Sequence, residues 1–216
     1  MLDGLVPPLL VVMLALVLFA GRRSYLQRRP QHRVPVDGAI IVAVVAFSGF
    51  LELEMGRTPT YKYGPVRLWS GDVYSNQNSQ QVADPYTFTH LVHGAALYGL
   101  LRLMFAASPP SLRFAIAISA ESAWEVLENT DVVINRYRAD TIALDYYGDS
   151  IINSMADILA CALGFWVAKR FPTWLTVSSI IALEVVLGFW IRDNLILNIL
   201  MLLHPVEGIR TWQTGR

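Results

Sequence analysis

Apolar runs of about 16–22 residues recur along this chain, and each is close to the length a helix needs to cross a hydrocarbon core of about 30 Å. A segment in that environment must satisfy its own backbone hydrogen bonds, which leaves helices or a closed barrel. Barrel strands would be about ten residues of strict alternation, and the sequence has no such pattern. With 54% hydrophobic and 16% charged residues among 216, the apolar excess exceeds what a soluble domain carries. The expectation is one all-α domain over 1–216, a polytopic membrane helix bundle of about six transmembrane helices. A short C-terminal interfacial or re-entrant helix completes it.

The spans are read at 5–20, 37–55, 86–107, 112–128, 149–167 and 174–191. The connector 21–35 holds Arg22, Arg23, Arg28, Arg29 and Arg33, and Arg113 and Lys169-Arg170 mark later turns on the same side. The positive-inside rule puts those turns in the cytoplasm and both termini outside. Asp3 precedes the first run and the arginines follow it, the wrong order for a cleaved signal peptide. The apolar tail 195–203 is too short to cross alone. Two outer loops remain. Loop 56–85 carries Tyr61, Tyr63, Trp69 and Tyr74, and loop 129–148 sets Arg136 and Arg138 against Asp131, Asp140 and Asp145. Both are expected to fold down as an ordered lid.

Zero formal net charge offers no basic field for nucleic acid. The partners this leaves are membrane lipids and a lipid or lipid-linked substrate, and no protein partner is marked. The lone Cys161 lies in an apolar run and reads as a packing residue.

The chemistry lies in polar residues inside the spans. His90 and His93 share a helix face at i, i+3; Glu121, Glu125 and Glu128 form a stripe on the next span; Asp149, Asn153 and Asp157 form another. His93, Glu121, Asp157 and Glu184 each fall about seven to nine residues from the outer end of their span, roughly 10–14 Å deep. A charge at such depth costs at least about 2.5–3.5 kcal/mol, so several together imply mutual pairing or a watered cavity. A polar pocket open to the outer face is therefore expected, with His90, His93, Glu121, Glu125, Asp149, Asn153 and Asp157 as its catalytic candidates. A buried carboxylate would act as general base and a histidine as acid or base.

Arg136 or Arg138 would clamp an anionic headgroup, and Arg192, Asp193 and Asn194 at the end of the last span join the binding set. Glu52 and Glu54 stand two apart and cannot share a helix face. His-x-x-His facing carboxylates supplies ligands suited to zinc or iron, yet no His-Glu-x-x-His signature or cysteine pair accompanies it, so no metal or cofactor is assigned. Gly-x-Ser-x-Gly and nucleotide-binding glycine loops are absent too.

Several stretches resemble the UPF 0314 family of uncharacterised bacterial multi-pass inner-membrane proteins. They are Leu68-Trp69-Ser70-Gly71 through Asn78-Ser79-Gln80, Tyr86-Thr87-Phe88-Thr89-His90 with His93-Gly94, and Trp124-Glu125 with Glu128-Asn129. Arg136-Tyr137-Arg138, Asp145-Tyr146-Tyr147-Gly148-Asp149-Ser150 with Asn153-Ser154, and Arg192-Asp193-Asn194 complete the set. Members of that family often carry His and Trp where Gln81 and Pro85 stand, which makes those two poor candidates for essential chemistry. The resemblance implies a bacterial inner-membrane location and no particular activity. The order Asp149, Asn153, Asp157, Gly164 also looks like the acidic-asparagine helix of VanZ-like membrane proteins.

Three functions compete: an envelope enzyme or binding protein for a lipid-linked substrate, a non-catalytic scaffold whose polar stripe only joins helices, and a proton-coupled transporter. The first ranks highest. Clean inner halves of the spans and the lack of an inverted repeat argue against transport.

Overall fold

A computed structural model describes residues 3–140 and 146–215, and every regular element among them is helical. The α-helices are α1 Val6–Arg28, α2 Arg33–Glu54, α3 Thr87–Met104, α4 Pro110–Glu128, α5 Asp131–Asp140, α6 Ile151–Arg170, α7 Thr173–Trp190, α8 Leu195–Leu203 and α9 Glu207–Thr214. Their starts are marked chemically. Proline opens α1 and α4 where no amide donor is needed. The side chains of Ser150 and Asn194 cap α6 and α8 by accepting from the amides of Asn153 and Leu197.

Among the described residues, four helices are long and apolar enough to cross a membrane: Val6–Arg28, Pro30–Glu54, Ile151–Arg170 and Thr173–Trp190. That suggests a membrane protein, with four spans by composition where about six were expected. The other two expected spans, α3 and α4, have 18 and 19 residues. They match in length and fall short in apolarity, because α3 carries two histidines and Arg102, and α4 carries Arg113 and three glutamates.

Three segments that the sequence does not mark as helices are helical. The arginine connector is almost continuous helix, broken only by a 3-10 turn at Pro30–His32. Long unbranched side chains such as Arg and Gln cost a helix little, so α1 runs on past its apolar stretch. Loop 129–148 contains α5, and α9 follows the apolar tail that forms α8.

α4 sits at the hub, touching α1, α2, α3 and α6, while α3 and α6 make the most extensive pairing. The register of that pairing is parallel: His90 lies by Asp157, Gly94 by Cys161 and Tyr98 by Phe165. Reciprocal glycines let the two backbones touch. A Cβ on Gly94 would stand 1.9 Å from the Cys161 carbonyl oxygen, and one on Gly164 2.0 Å from that of Leu91. α4 runs the other way, meeting His90 through Glu121 and Phe165 through Phe114.

The bundle thus has two unlike ends. Towards the arginine end, Leu101, Ala117 and Phe165 form an apolar core with Tyr98 and Phe114 around it, the clean half the sequence leads one to expect. There too Arg22 pairs with the buried Asp37, joining α1 to α2. The buried polar side chains of α3, α4 and α6 gather instead towards the opposite, glutamate end.

Loop 56–85 covers that end without regular structure but with many ties. Gln80 Nε2 donates to the Gly148 carbonyl at 2.6 Å, and the Ser150 amide to the Ser79 carbonyl at 2.9 Å. Trp69 stacks on Trp190 with centroids 6.2 Å apart, and Val73 packs on Leu187 and Ile191. Gly148 holds φ +94°, where an added Cβ would lie 2.4 Å from Arg57 Nη1. The second loop is tied down through Tyr137 Oη to Asn198 Oδ1 at 3.0 Å. Asp145 and the Asp140 side chain, to which part of the lid expectation was assigned, lie outside the described residues.

Candidate functional site

At the glutamate end, α3, α4 and α6 bring their polar stripes to one point. His90 and His93 project from successive turns of α3, and both Nδ1 atoms converge on Glu121 Oε1, at 2.6 and 3.2 Å. Glu125, one turn along α4, places Oε1 3.2 Å from His90 Nδ1. Asp157 of α6 faces the other nitrogen of that ring, Oδ2 to Nε2 at 4.0 Å. Glu121, Glu125 and Asp157 are all at most 4% exposed. Among the described residues the only bases ion-paired with these three carboxylates are the two histidines. The Glu125 carboxylate and Asp157 Oδ1 receive no hydrogen bond.

Among the described residues, two sets of side chains have ligand atoms close enough to hold a metal ion: His90, His93 and Glu121, and His90, Glu125 and Glu128. Their nitrogen and oxygen donors suit a first-row divalent cation.

Beside this cluster is a small polar cavity of about 50 Å³, room for little more than a water or an ion. His90, His93, Glu128, Asp149 and Asp157 reach it from the helices, and Ser79, Tyr86, Tyr137 and Tyr146 from the covering segments. Asp149 is held by Asn129 Nδ2 at 2.8 Å and by the Tyr146 hydroxyl at 2.9 Å. Burial pushes its carboxyl up to about 7, and the charge of Glu128 adds to the shift.

A second space opens sideways. It is a groove of about 720 Å³ lined almost entirely by apolar side chains of α3, α4, α5 and α8, including Leu97, Leu100, Val133, Ile199 and Leu203. His93, Trp124 and Leu195 line both spaces. Arg136 borders the groove, its Nε donating to the Leu202 carbonyl at 3.1 Å.

The structure therefore gathers His90, His93, Glu121, Glu125 and Asp157, with Asp149 on the same cavity. Asn153 is buried in α6 and does not line the cavity. Arg138 is exposed on α5 and lines neither space. Arg192, Asp193 and Asn194 line neither space as well, and each fastens helices together. Arg192 donates to the Trp212 carbonyl, Asp193 accepts from Tyr86 Oη and Gln213, and Asn194 donates to the Glu184 carbonyl.

Glu184, placed at the same depth by sequence, is drawn instead to the start of α8, where it accepts from the amides of Leu195 and Ile196. Depth along a helix does not give the direction a side chain faces. Of the alternating pair on α2, Glu52 is fully buried and Glu54 exposed. Depth and helix spacing do not point to the tyrosines of the cavity. Their signal was the family-like stretches around Tyr86, Tyr137 and Tyr146.

Residues 52–215 match the family described as "Protein of unknown function (DUF2585)". Relatives named UPF0314 protein share this sequence broadly. That of Rhizobium meliloti (strain 1021) is 47% identical over 174 residues, 81% of this chain and 88% of its own. The one from Paracoccus denitrificans (strain Pd 1222) is 47% identical over 172 residues, covering 80% and 89%. That of Sphingopyxis alaskensis is 46% identical over 176 residues, covering 82% and 94%. No solved structure matches the chain.

Proposed function

This chain belongs to the UPF0314 family, and we propose that it binds and acts on an amphipathic, lipid or lipid-linked envelope molecule that enters sideways from the membrane. The observation that carries this reading is that the polar cavity and the apolar groove lie against one another, sharing His93, Trp124 and Leu195 in their walls. An acyl or isoprenoid chain fits the apolar groove, and a polar head at its end meets His93 and Glu121. Arg136 stands at the rim for an anionic group. A pocket that is apolar over most of its wall, with a few converging polar groups at one end, is the usual form of a ligand site.

On this reading α3 and α4 also cross the bilayer, making six spans in a bacterial inner membrane. His90, Glu121 and Glu125 are buried towards α6 and the cavity and away from lipid, which removes most of the cost of insertion. Both termini and the glutamate end then face the periplasm. A C-terminal alkaline phosphatase fusion should be active and a green-fluorescent-protein fusion dark.

The substrate is tested by comparing the lipids of a deletion strain with those of wild type. An envelope lipid or lipid-linked intermediate should accumulate and be cleared by the wild-type gene. His93→Ala, Glu121→Gln, Asp157→Asn and Ala96→Trp, the last filling the groove, should fail to clear it while the protein reaches normal levels. Identical lipid profiles, or full complementation by Ala96→Trp, would overturn the proposal. Variants that do not accumulate at all would favour the scaffold reading, in which the polar cluster only joins helices.

A further inference from the structure

We infer that the histidine–carboxylate cluster is a binding site for one first-row divalent cation, held by His90, His93 and Glu121, with Glu125 beside His90 as the supporting carboxylate. The inference shares residues with the proposed function but does not depend on a lipid, and it stands on three features of the site.

The first is charge. Glu121, Glu125 and Asp157 are buried within a few ångströms of two imidazoles, with no lysine or arginine paired to them among the described residues. A desolvated group of carboxylates needs compensation, and paired ions or a metal provide it. The second is an unspent donor. Glu125 is 1% exposed, accepts no hydrogen bond at either oxygen, and points at His90. A buried carboxylate so aimed is waiting for a cation.

The third is geometry. Ligands at about 2.0–2.1 Å around a tetrahedral ion stand about 3.3 Å from one another; Glu121 Oε1 stands 2.6 Å from His90 Nδ1 and 3.2 Å from His93 Nδ1, and the three ligand atoms all lie within 4.8 Å of one another. A small outward shift of each side chain would admit the ion. His90 also has the arrangement that fixes a metal-bound imidazole. Its Nδ1 faces Glu121 and Glu125 while Asp157 Oδ2 stands 4.0 Å from its Nε2, a short side-chain movement from the hydrogen bond by which an outer carboxylate orients a ligand ring. His-x-x-His on α3 and Glu-x-x-x-Glu on α4 put all four side chains on two facing helix surfaces. The adjacent cavity of about 50 Å³ leaves room for a water on the ion.

Nitrogen and oxygen donors without thiolate favour zinc, iron(II) or manganese(II) over copper(I). Bound next to the groove, such an ion would polarise a phosphoryl or carbonyl oxygen, or lower the pKa of its water.

The test uses the full chain purified in detergent with an affinity tag that contains no histidine. Elemental analysis should find roughly one first-row divalent ion per chain. After chelation, the protein should take up cobalt(II) with the visible d–d absorption of a four- or five-coordinate nitrogen–oxygen site. Glu125→Gln, which keeps the shape of the side chain, should weaken zinc(II) affinity by about 10–100-fold, the usual loss for a supporting carboxylate. His90→Ala and His93→Ala should weaken it further, and Glu207→Gln, exposed on α9, should leave it unchanged.

Size-exclusion elution and thermal melting separate loss of the site from loss of the fold. Chelated wild-type protein that elutes as a single species yet takes up none of zinc(II), iron(II), manganese(II) or cobalt(II) would overturn the inference. So would Glu125→Gln and His93→Ala binding zinc(II) as tightly as wild type. Neither result would touch the lipid proposal, whose readout is the accumulating envelope component.

Discussion

The hairpin of α1 and α2 and the trio of α3, α4 and α6 are built from helices of similar length and share almost nothing else. α1 buries only Pro8, Val11 and Ala15 along its 23 residues, whereas the 20-residue α6 buries nine, among them Asn153, Ser154 and Asp157. The hairpin's buried ion pair is Arg22 with Asp37, at the arginine end, and its other buried acid, Glu52, lies at the far end of α2. The trio's charges crowd together at the glutamate end. The family match begins at Glu52 and so leaves α1 and nearly all of α2 outside it. Apolarity alone therefore does not mark the candidate site. Of the three helices that form it, α3 and α4 carry polar residues that make them poor membrane spans by composition, while α6 is apolar enough to cross.

The sharpest way to break the comparison is at the glycines. Gly94→Leu or Gly164→Leu pushes a side chain into the backbone of the facing helix, where a Cβ alone would sit at 1.9 or 2.0 Å. Overpacking against side chains costs about 1–3 kcal/mol, and here the obstacle is main chain that cannot rotate away. Both variants should fail to elute as a single species in fluorescence-detected size exclusion. Gly38→Ala, in the hairpin with open space around it, should behave as wild type. If Gly94→Leu folded normally, the close α3–α6 contact would be wrong, and with it the convergence of His90 and Asp157.

Arg22→Ala should have the next largest effect. It strands Asp37, whose side chain is 2% exposed, and loss of one partner from a buried pair costs about 3–5 kcal/mol. The melting temperature should fall, and Arg22→Ala combined with Asp37→Asn should recover most of it. Metal content per folded chain should stay at the wild-type value in both variants. A loss of bound ion along with the salt bridge would show that hairpin and trio are coupled, contrary to the division drawn above.

How far the sequence reveals this arrangement differs between the two regions for the same reason. The two helices of the hairpin are legible in place and length, because each apolar run is close to the length of a membrane span. In the trio, the stripes of His90 and His93, of Glu121 and Glu125, and of Asp157 are legible as faces, since i, i+3 and i+4 spacing fixes them on one side of a helix. What those faces meet is not. Glu184 has the same depth as Glu121 and yet serves α8, because rotation about the helix axis is set by tertiary packing. Gly94 and Gly164 stand in plain view as small residues, but their reciprocity depends on a parallel register that only the folded chain defines. Arg192, Asp193 and Asn194 look like a binding triplet and work as a clasp between α7, α8 and α9, because α9 carries too few apolar residues to declare itself.

The smallest effect should come from Asp149, just outside the start of α6 at Ile151, and it concerns pH. Burial, then the neighbouring charge of Glu128, raises its carboxyl from 3.8 to about 7, against the opposing hydrogen bonds from Tyr146 and Asn129. Asp84 lies among the groups that add to the shift, and Asp149 in turn acts on Glu52 of α2. The folded chain thus holds this proton more tightly than the unfolded chain does. Its contribution to stability is complete below about pH 3.8, declines as the pH rises, and is gone above about 7. Asp149→Asn removes the titration while keeping the shape and one acceptor oxygen for Asn129 or Tyr146. Melting temperatures measured in detergent from about pH 5 to about pH 7.5 should therefore fall less steeply for Asp149→Asn than for wild type. Gly38→Ala in the hairpin should keep the wild-type slope. Equal slopes for Asp149→Asn and wild type would mean that Asp149 is already ionised in the fold at pH 5, with its charge met by a partner at the glutamate end, and the picture of a proton-holding carboxyl beside the cavity would have to be abandoned.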